Sequence, residues 1–344
     1  ILNSDHILEM ERIPKSIVVL GAGSWGTALA IQFARGGERT VLWGRAEDDP
    51  AELARARRNE RYLPGAEFPP SLAIEPDLAR AIGSGEDVVL VVPSSVLRLV
   101  LQQIKPMLGP RSRVAWASKG FELATGKLPH QVVGEVLGPH VPIAVLSGPT
   151  FAREVGLGLP TAIAVASPNP AFARDLAERI SSGGFRAYTQ SDIVGVEIGG
   201  AVKNVIAIAT GVSDGLGYGA NSRVFLITRG LAEMVRLGIA LGAKRETLMG
   251  LAGLGDLVLT CTDDQSRNRR FGRAIAAGKP VEQAIAEIGQ VVEGYHAAKA
   301  VHAVALSHGV DMPICRHVFE VLHQGVPIKT VVESMLQREV TAEN

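Results

Sequence analysis

Ser16-Ile17-Val18-Val19-Leu20-Gly21-Ala22-Gly23-Ser24-Trp25-Gly26-Thr27-Ala28-Leu29-Ala30 decides the fold. An apolar, β-branched run from Ser16 to Leu20 reads as a buried strand, and Thr27 to Arg35 follows a helical period. G-x-G-x-x-G between a strand and a helix is a dinucleotide-binding loop. Gly21 allows the tight turn, Gly23 lets the backbone approach a pyrophosphate, and Gly26 lets helix and strand pack closely. The phosphates then meet free N–H groups at the positive end of the helix.

Outward from this unit, strands are expected at Thr40 to Trp43, Val88 to Val92, Val114 to Ala117 and Ile143 to Leu146. Thr161 to Ala166 and Phe185 to Tyr188 complete the set. Helical segments such as Glu52 to Arg58, Ser95 to Ile104 and Leu128 to Leu137 lie between them. Apolar strands alternating with helices predict an α/β, Rossmann-type, doubly wound parallel sheet. Beyond about Ser191 the strand pattern stops, and seven helices are expected: Ile193 to Val212, Ser222 to Leu241, Arg270 to Ala277, Val281 to Ile288, Gly294 to Ser307, Ile314 to Gln324 and Ile328 to Leu336. The chain therefore divides into a dinucleotide-binding domain over 14–190 and an all-α substrate domain over 191–340.

A chain of 344 residues with 47% hydrophobic content exceeds the usual size of a single core. Its 35 basic and 35 acidic residues give no net charge, hence no electrostatic footprint for nucleic acid or an anionic membrane. Two cysteines, Cys261 and Cys315, cannot make a disulfide framework and match a reducing compartment. The first fifteen residues lack the order of a signal peptide, and those before Met10 read as a start-site extension. The most apolar stretch, Val196 to Val212, contains Glu197, Lys203 and Asn204, which are expensive in hydrocarbon. A cytoplasmic protein is expected. Eight histidines show no metal-ligand spacing, no G-x-S-x-G elbow is present, and Cys261 has no histidine near it in sequence. No metal is expected.

Chemistry is concentrated in six places. Lys203 follows Gly199 and Gly200 on an apolar helix, so its stem can run back over a turn that has no side chains to block it. The second strand ends Trp43-Gly44-Arg45, with Glu47, Asp48 and Asp49 only later; Arg45 either pairs with a 2′-phosphate or is a solvated loop residue. Lys119 ends the strand before Gly120 and either points into the crevice above the sheet or lies on the surface. In Ser147-Gly148-Pro149-Thr150-Phe151-Ala152, Gly148 permits close backbone approach and the hydroxyls can hold polar substrate atoms, while Thr150 also suits a helix N-cap. Asp256, in the apolar Leu251 to Leu257 run, needs a buried partner such as a lysine in the crevice. Ser266-Arg267-Asn268 is a compact donor set for a phosphate dianion, or else an exposed basic helix start balanced by Asp263 and Asp264, with Arg269 solvated beside it.

These strings carry a resemblance. GAGSWGTALA at Gly21 to Ala30, VVPSS at Val91 to Ser95, ASKGFE at Ala117 to Glu122, SGPTFAREV at Ser147 to Val155, GGAVKNVIAIATGVSDGLGYGANS at Gly199 to Ser222, LAGLGDLVLTCTDDQSRNRRFG at Leu251 to Gly272 and GQVVEGY at Gly289 to Tyr295 resemble bacterial NAD(P)-dependent glycerol-3-phosphate dehydrogenase from Ser16 to about Pro313. The resemblance implies interconversion of sn-glycerol 3-phosphate and dihydroxyacetone phosphate, supplying phospholipid synthesis. It implies Lys203 as proton donor and acceptor, with Lys119 and Asp256 beside it. Gly148, Thr150, Ser266, Arg267 and Asn268 would bind substrate, and Ser24, Trp25, Arg45, Lys119, Ala152, Arg267, Val291 and Glu293 would contact NADP or NAD. A homodimer is expected. Two alternatives are a β-hydroxyacid or 3-hydroxyacyl dehydrogenase, which would not need the phosphate clamp, and a redox sensor without turnover, which would have no reason to set Lys203 over two glycines.

Overall fold

The computed structural model describes residues 16–336; Met10 and the outer ends of the two expected domains, 14–15 and 337–340, lie outside them. Strand β1 (Ile17–Leu20) is wholly buried, and helix α1 (Ser24–Arg35) follows the glycine loop. The chain continues through β2 (Thr40–Trp43), α2 (Pro50–Ala56), β3 (Arg58–Asn59), β4 (Leu63–Glu67), β5 (Leu72–Ile74) and α3 (Leu78–Gly83). Next come β6 (Asp87–Leu90), α4 (Leu97–Ile104), β7 (Arg113–Trp116), α5 (Pro129–Leu137) and β8 (Ile143–Ser147). The sheet is finished by α6 (Ala152–Leu157), β9 (Thr161–Ala166), α7 (Pro170–Ile180) and β10 (Phe185–Gln190).

Eight of these strands form one sheet in the order β10-β9-β8-β7-β6-β1-β2-β5. The chain moves from β1 to β2 on one side and returns to β6 on the other, so the strand order reverses beside β1, where open α/β sheets bind their ligands. Val18 and Val19 of β1 pair in register with Val41 and Leu42 on one side and with Val88 and Val89 on the other, fixing the glycine loop at that crevice.

The sheet is not all parallel as expected. β9 runs antiparallel to β8, and β10 is parallel to β9, so the last two strands are reversed together. The cause is the six-residue α6. At about 1.5 Å per residue this helix is shorter than the strand it would have to run back along, so it does not return the chain for a parallel crossover. The β3–β4 hairpin and the edge strand β5 were not expected either. Pro64 and Gly65 break any strand period there, and pairing is supplied by neighbours. Helix α2 ends earlier than expected because Arg57 takes a left-handed conformation, with φ 54°. Helix α7 was missed although Asn169 caps it ahead of Pro170.

The remaining chain is helical: α8 (Ile193–Gly215), α9 (Ala220–Ala240), α10 (Arg245–Leu248), a π-turn (Leu251–Gly255), α11 (Asp256–Thr262), α12 (Arg267–Ala276), α13 (Val281–Ile288), α14 (Glu293–Ser307), α15 (Pro313–Gln324) and α16 (Ile328–Leu336). Helix α8 is the axis of this half and is buried along most of its length by the others. Among the described residues it is the one helix long and apolar enough to cross a membrane, yet 89% of its most apolar window is buried inside the protein. It also contributes Val196 to the core on one face of the sheet, so the two halves share a boundary. At that boundary Lys119 of the sheet half meets Asp256 and Lys203 of the helical half.

Candidate active site

Close backbone approach builds the site. A Cβ on Gly199 would lie 2.1 Å from the Ala252 carbonyl oxygen, so only glycine lets the π-turn Leu251–Gly255 press onto α8 and aim Asp256 at Lys203. Further along, a Cβ on Gly211 would be 2.1 Å from the Arg269 oxygen and one on Gly272 would be 2.2 Å from the Ile208 oxygen. Helices α8 and α12 therefore cross in backbone contact, which sets Asn268 against Asn204. Gly200 clears space for another lysine, since a Cβ there would meet Lys119 Cγ at 3.3 Å. The two glycines thus admit the π-turn and the stem of Lys119, which corrects the expectation that they clear the stem of Lys203.

At the centre Asp256 is almost fully buried and accepts from both lysines: Lys203 Nζ lies 2.5 Å from Oδ1 and Lys119 Nζ 2.9 Å from Oδ2. Lys203 also donates to Thr260 Oγ1 at 3.1 Å, and that hydroxyl donates to the Asp256 carbonyl one turn back on α11. Burial opposes the charge on every member, and the outcomes differ. Desolvation, aided by the Lys119 charge, brings Lys203 down to about 8 against the opposing pull of Asp256. For Lys119 the attraction of Asp256 outweighs burial and holds it above the ordinary lysine value. Both lysines likewise outweigh burial at Asp256 and keep it below the usual carboxylate range. The buried partner expected for Asp256 is thus a pair of lysines, one with its pKa near neutrality.

A cleft of about 600 Å³ opens above this trio, and Lys119, Lys203, Asp256, Thr150, Ser266, Arg267 and Asn268 line it with Ser24, Trp25, Ala152 and Glu293. Arg267, half-buried, donates to the neutral Gln290 Oε1 at 3.1 Å and meets no carboxylate among the described residues. Asn268 donates to Asn204 Oδ1 at 2.9 Å and accepts from the Gly294 amide, while Asn204 donates to Glu293 Oε2 at 3.1 Å. Ser266 caps α12 by accepting from the Arg269 amide at 3.2 Å, so the first turn of that helix faces the cleft. An arginine beside a helix N-terminus is a site for a phosphate dianion.

The dinucleotide loop fits a pyrophosphate. Gly21 has φ +116° and a Cβ there would lie 2.4 Å from the Val91 oxygen; one on Gly26 would lie 1.9 Å from the Gly21 oxygen. Gly23, by contrast, has nothing within 4 Å of where a Cβ would stand, which leaves its backbone open to a ligand.

Two stretches of the chain match one enzyme family. Residues 16–173 match the model described as NAD-dependent glycerol-3-phosphate dehydrogenase N-terminus, and residues 192–333 match the one described as its C-terminus. The chain belongs to the NAD-dependent glycerol-3-phosphate dehydrogenase family. It is 55% identical over 329 residues, 95% of each chain, to "Glycerol-3-phosphate dehydrogenase [NAD(P)+]" of Vibrio vulnificus strain YJ016. It is 56% identical over 325 residues, 94% of this chain and 97% of the other, to the protein of the same name from Aeromonas salmonicida. The crystal structure of glycerol-3-phosphate dehydrogenase from Coxiella burnetii superposes with TM-score 0.91 at 47% identity, covering 94% of this chain and 99% of that one. D-mandelate dehydrogenase, at 14% identity and TM-score 0.62, shares the fold alone.

Against that family background, several expected residues sit elsewhere or do something else. Gly148 is off the cleft; a Cβ there would be 3.1 Å from Ile163 Cα, so it admits the neighbouring strand β9. Thr150 is no N-cap: its hydroxyl donates to the Gly148 carbonyl at 3.2 Å, and Phe151 occupies the cap position of α6. Arg269 is buried, donating to Asp214 Oδ2 at 2.8 Å and to Asp264, which corrects its reading as a solvated residue. Arg45 is exposed, and the acid that seemed to come too late, Asp48, folds back so that its Oδ2 accepts from the Arg45 amide at 2.9 Å. Val291 is exposed and off the cleft. Cys261 is a core cysteine whose thiol burial pushes up to about 12. Among the described residues no group of acids, histidines and cysteines could hold a metal.

The sequence reading missed Thr260, Asn204 and Gln290. Thr260 stands four residues after Asp256 on one helix face, a spacing that could have revealed it. Asn204 neighbours the lysine itself. Gln290 gave no such signal, because its partners Ser24 and Arg267 are remote in sequence.

Proposed function

We propose that this cleft interconverts sn-glycerol 3-phosphate and dihydroxyacetone phosphate with NAD(P), with Lys203 as proton donor and acceptor. The observation that carries the reading is the Lys119–Asp256–Lys203 trio, a buried lysine with its pKa brought down to about 8 and held by an ionised aspartate. The bound nicotinamide supplies or accepts the hydride at the substrate carbon. Lys203 as ammonium polarises the ketone oxygen and gives it a proton; as amine it takes the proton back from the alcohol. Asp256 fixes its direction, and Lys119, held charged, places a second positive group at the same oxygen. Ser266, Arg267 and Asn268 hold the phosphate at the far end, while Thr150 meets the remaining polar atoms. Gly21, Gly23, Ser24, Trp25, Gly26, Arg45, Ala152, Val291 and Glu293 form the dinucleotide contacts in this reading.

The division into domains over 14–190 and 191–340 belongs to the same proposal, supported by the end of the last strand at Gln190. So do a cytoplasmic location, supported by two buried free cysteines, and a homodimer, supported by apolar Val224 and Phe225 exposed on α9. Zero net charge supports an enzyme without nucleic-acid or membrane partners, and the family resemblance implies a product that feeds phospholipid synthesis.

Consumption of NADPH by the purified protein tests the reading. Dihydroxyacetone phosphate should support turnover, while unphosphorylated β-ketoacids and 3-ketoacyl thioesters should not. Equal turnover of a β-ketoacid would favour the hydroxyacid alternative, and cofactor binding with no turnover of any ketone would favour the sensor.

A further inference from the structure

We propose that Arg61 is a second arginine, beside Arg45, for the 2′-phosphate that distinguishes NADP from NAD. The inference rests on the NAD(P)-dependent reading of the cleft. It begins at Asn59, whose Nδ2 donates to the Ala22 carbonyl of the glycine loop and to Thr27 Oγ1 on α1, both at 2.9 Å. These bonds pin the turn between β3 and β4 against the dinucleotide loop. Two residues on, Arg61 Nη1 donates to the Glu47 carbonyl at 2.7 Å, in the turn that follows β2. The same guanidinium lies 4.8 Å from the centroid of the Tyr62 ring, which lines the cleft. Arg45 opens that turn, with its Nε 3.9 Å from Glu47 Oε2 and 3.8 Å from Asp48 Oδ2. Two guanidinium groups from separate segments thus flank residues 45–48, at the strand end where the adenosine ribose is held in this fold.

The acids of the turn do not cancel them. Asp48 is turned inward, its side chain 8% exposed and its Oδ2 taken by the Arg45 amide. Asp49 caps α2 by accepting from the Glu52 amide at 3.2 Å. Glu47 is exposed and pairs with Arg45 only at long range. A phosphate dianion displaces that weak pair, since a lone exposed ion pair contributes little. Arg61 differs from Arg45 in being oriented beforehand by the Glu47 carbonyl and the Tyr62 face, with further N–H groups left for a phosphate, so binding has less side-chain freedom to remove.

Equilibrium titration of the full chain with NADPH, NADH and 2′,5′-ADP tests this. In Arg61→Ala, Kd for NADPH and for 2′,5′-ADP should rise about tenfold, the loss of one charge-assisted contact. Kd for NADH should stay within about twofold, because NADH has nothing for the arginine to hold. Arg61→Gln, which keeps a donor for the Glu47 carbonyl but no charge, should lose the same selectivity. Unchanged NADPH affinity in Arg61→Ala overturns the proposal. Equal weakening of NADPH and NADH, or normal NADPH affinity in Arg61→Gln, also overturns it, showing a prop for the turn. Failure of the unmodified chain to bind either dinucleotide would instead contradict the cofactor reading on which the inference stands.

Discussion

Lys203→Ala is expected to lower kcat for dihydroxyacetone phosphate reduction about 10³-fold, the middle of the range for loss of a general acid and about 4 kcal/mol of barrier. The variant should fold. Asp256 keeps Lys119 as its partner at 2.9 Å, so no uncompensated buried charge is left behind. NADPH affinity should stay within about threefold, because the amine acts at the carbonyl oxygen and not on the dinucleotide. Steady-state kinetics and a cofactor titration on one preparation check both halves. A kcat within tenfold of the unmodified enzyme would remove Lys203 from the chemistry.

Arg267→Ala should produce the other large loss, and a selective one. Binding energy at the remote phosphate orients the carbonyl against the nicotinamide, so it is expressed in the transition state. Removing a charge-assisted contact to a desolvated dianion costs about 2–5 kcal/mol, or roughly 30-fold in kcat/KM at the low end. Turnover of unphosphorylated dihydroxyacetone should barely change. Arg269→Ala supplies the contrast: this arginine is tied to Asp214 and Asp264, so its loss should lower the melting temperature and leave the preference for the phosphorylated ketone intact. If the preference survives in Arg267→Ala, the phosphate is held elsewhere, with the amides around Gly148 and Thr150 the next candidates.

How much of this was legible in the sequence differs from part to part. The β1–loop–α1 unit was read correctly because each glycine answers a local demand of the turn. Helices α13 and α16 were placed residue for residue, since their apolar periods are uninterrupted. The reversed edge strands escaped because direction depends on the length of a connection, not on strand composition. Within the site, Lys119, Lys203 and Asp256 were each picked out, and their meeting on one carboxylate follows from packing. Gly199 reads in the sequence as clearing the lysine stem, whereas its missing side chain accommodates a backbone more than fifty residues away, which no local pattern encodes. Arg269 was misjudged in the same way, because a basic run gives no sign of which member turns inward.

The central claim is that Lys203 carries the proton and changes state near pH 8. The pH dependence of kcat/KM in both directions tests it most directly. Burial lowers the lysine, so the ammonium needed to protonate the ketone persists below about 8 and is lost above it, while the amine needed to accept the alcohol proton appears over the same interval. Initial-rate measurements should therefore show kcat/KM for ketone reduction falling above about 8, and kcat/KM for glycerol 3-phosphate oxidation rising through that same midpoint. Profiles that are flat across this region in both directions, or that move the same way in both, would contradict Lys203 as the group that transfers the proton.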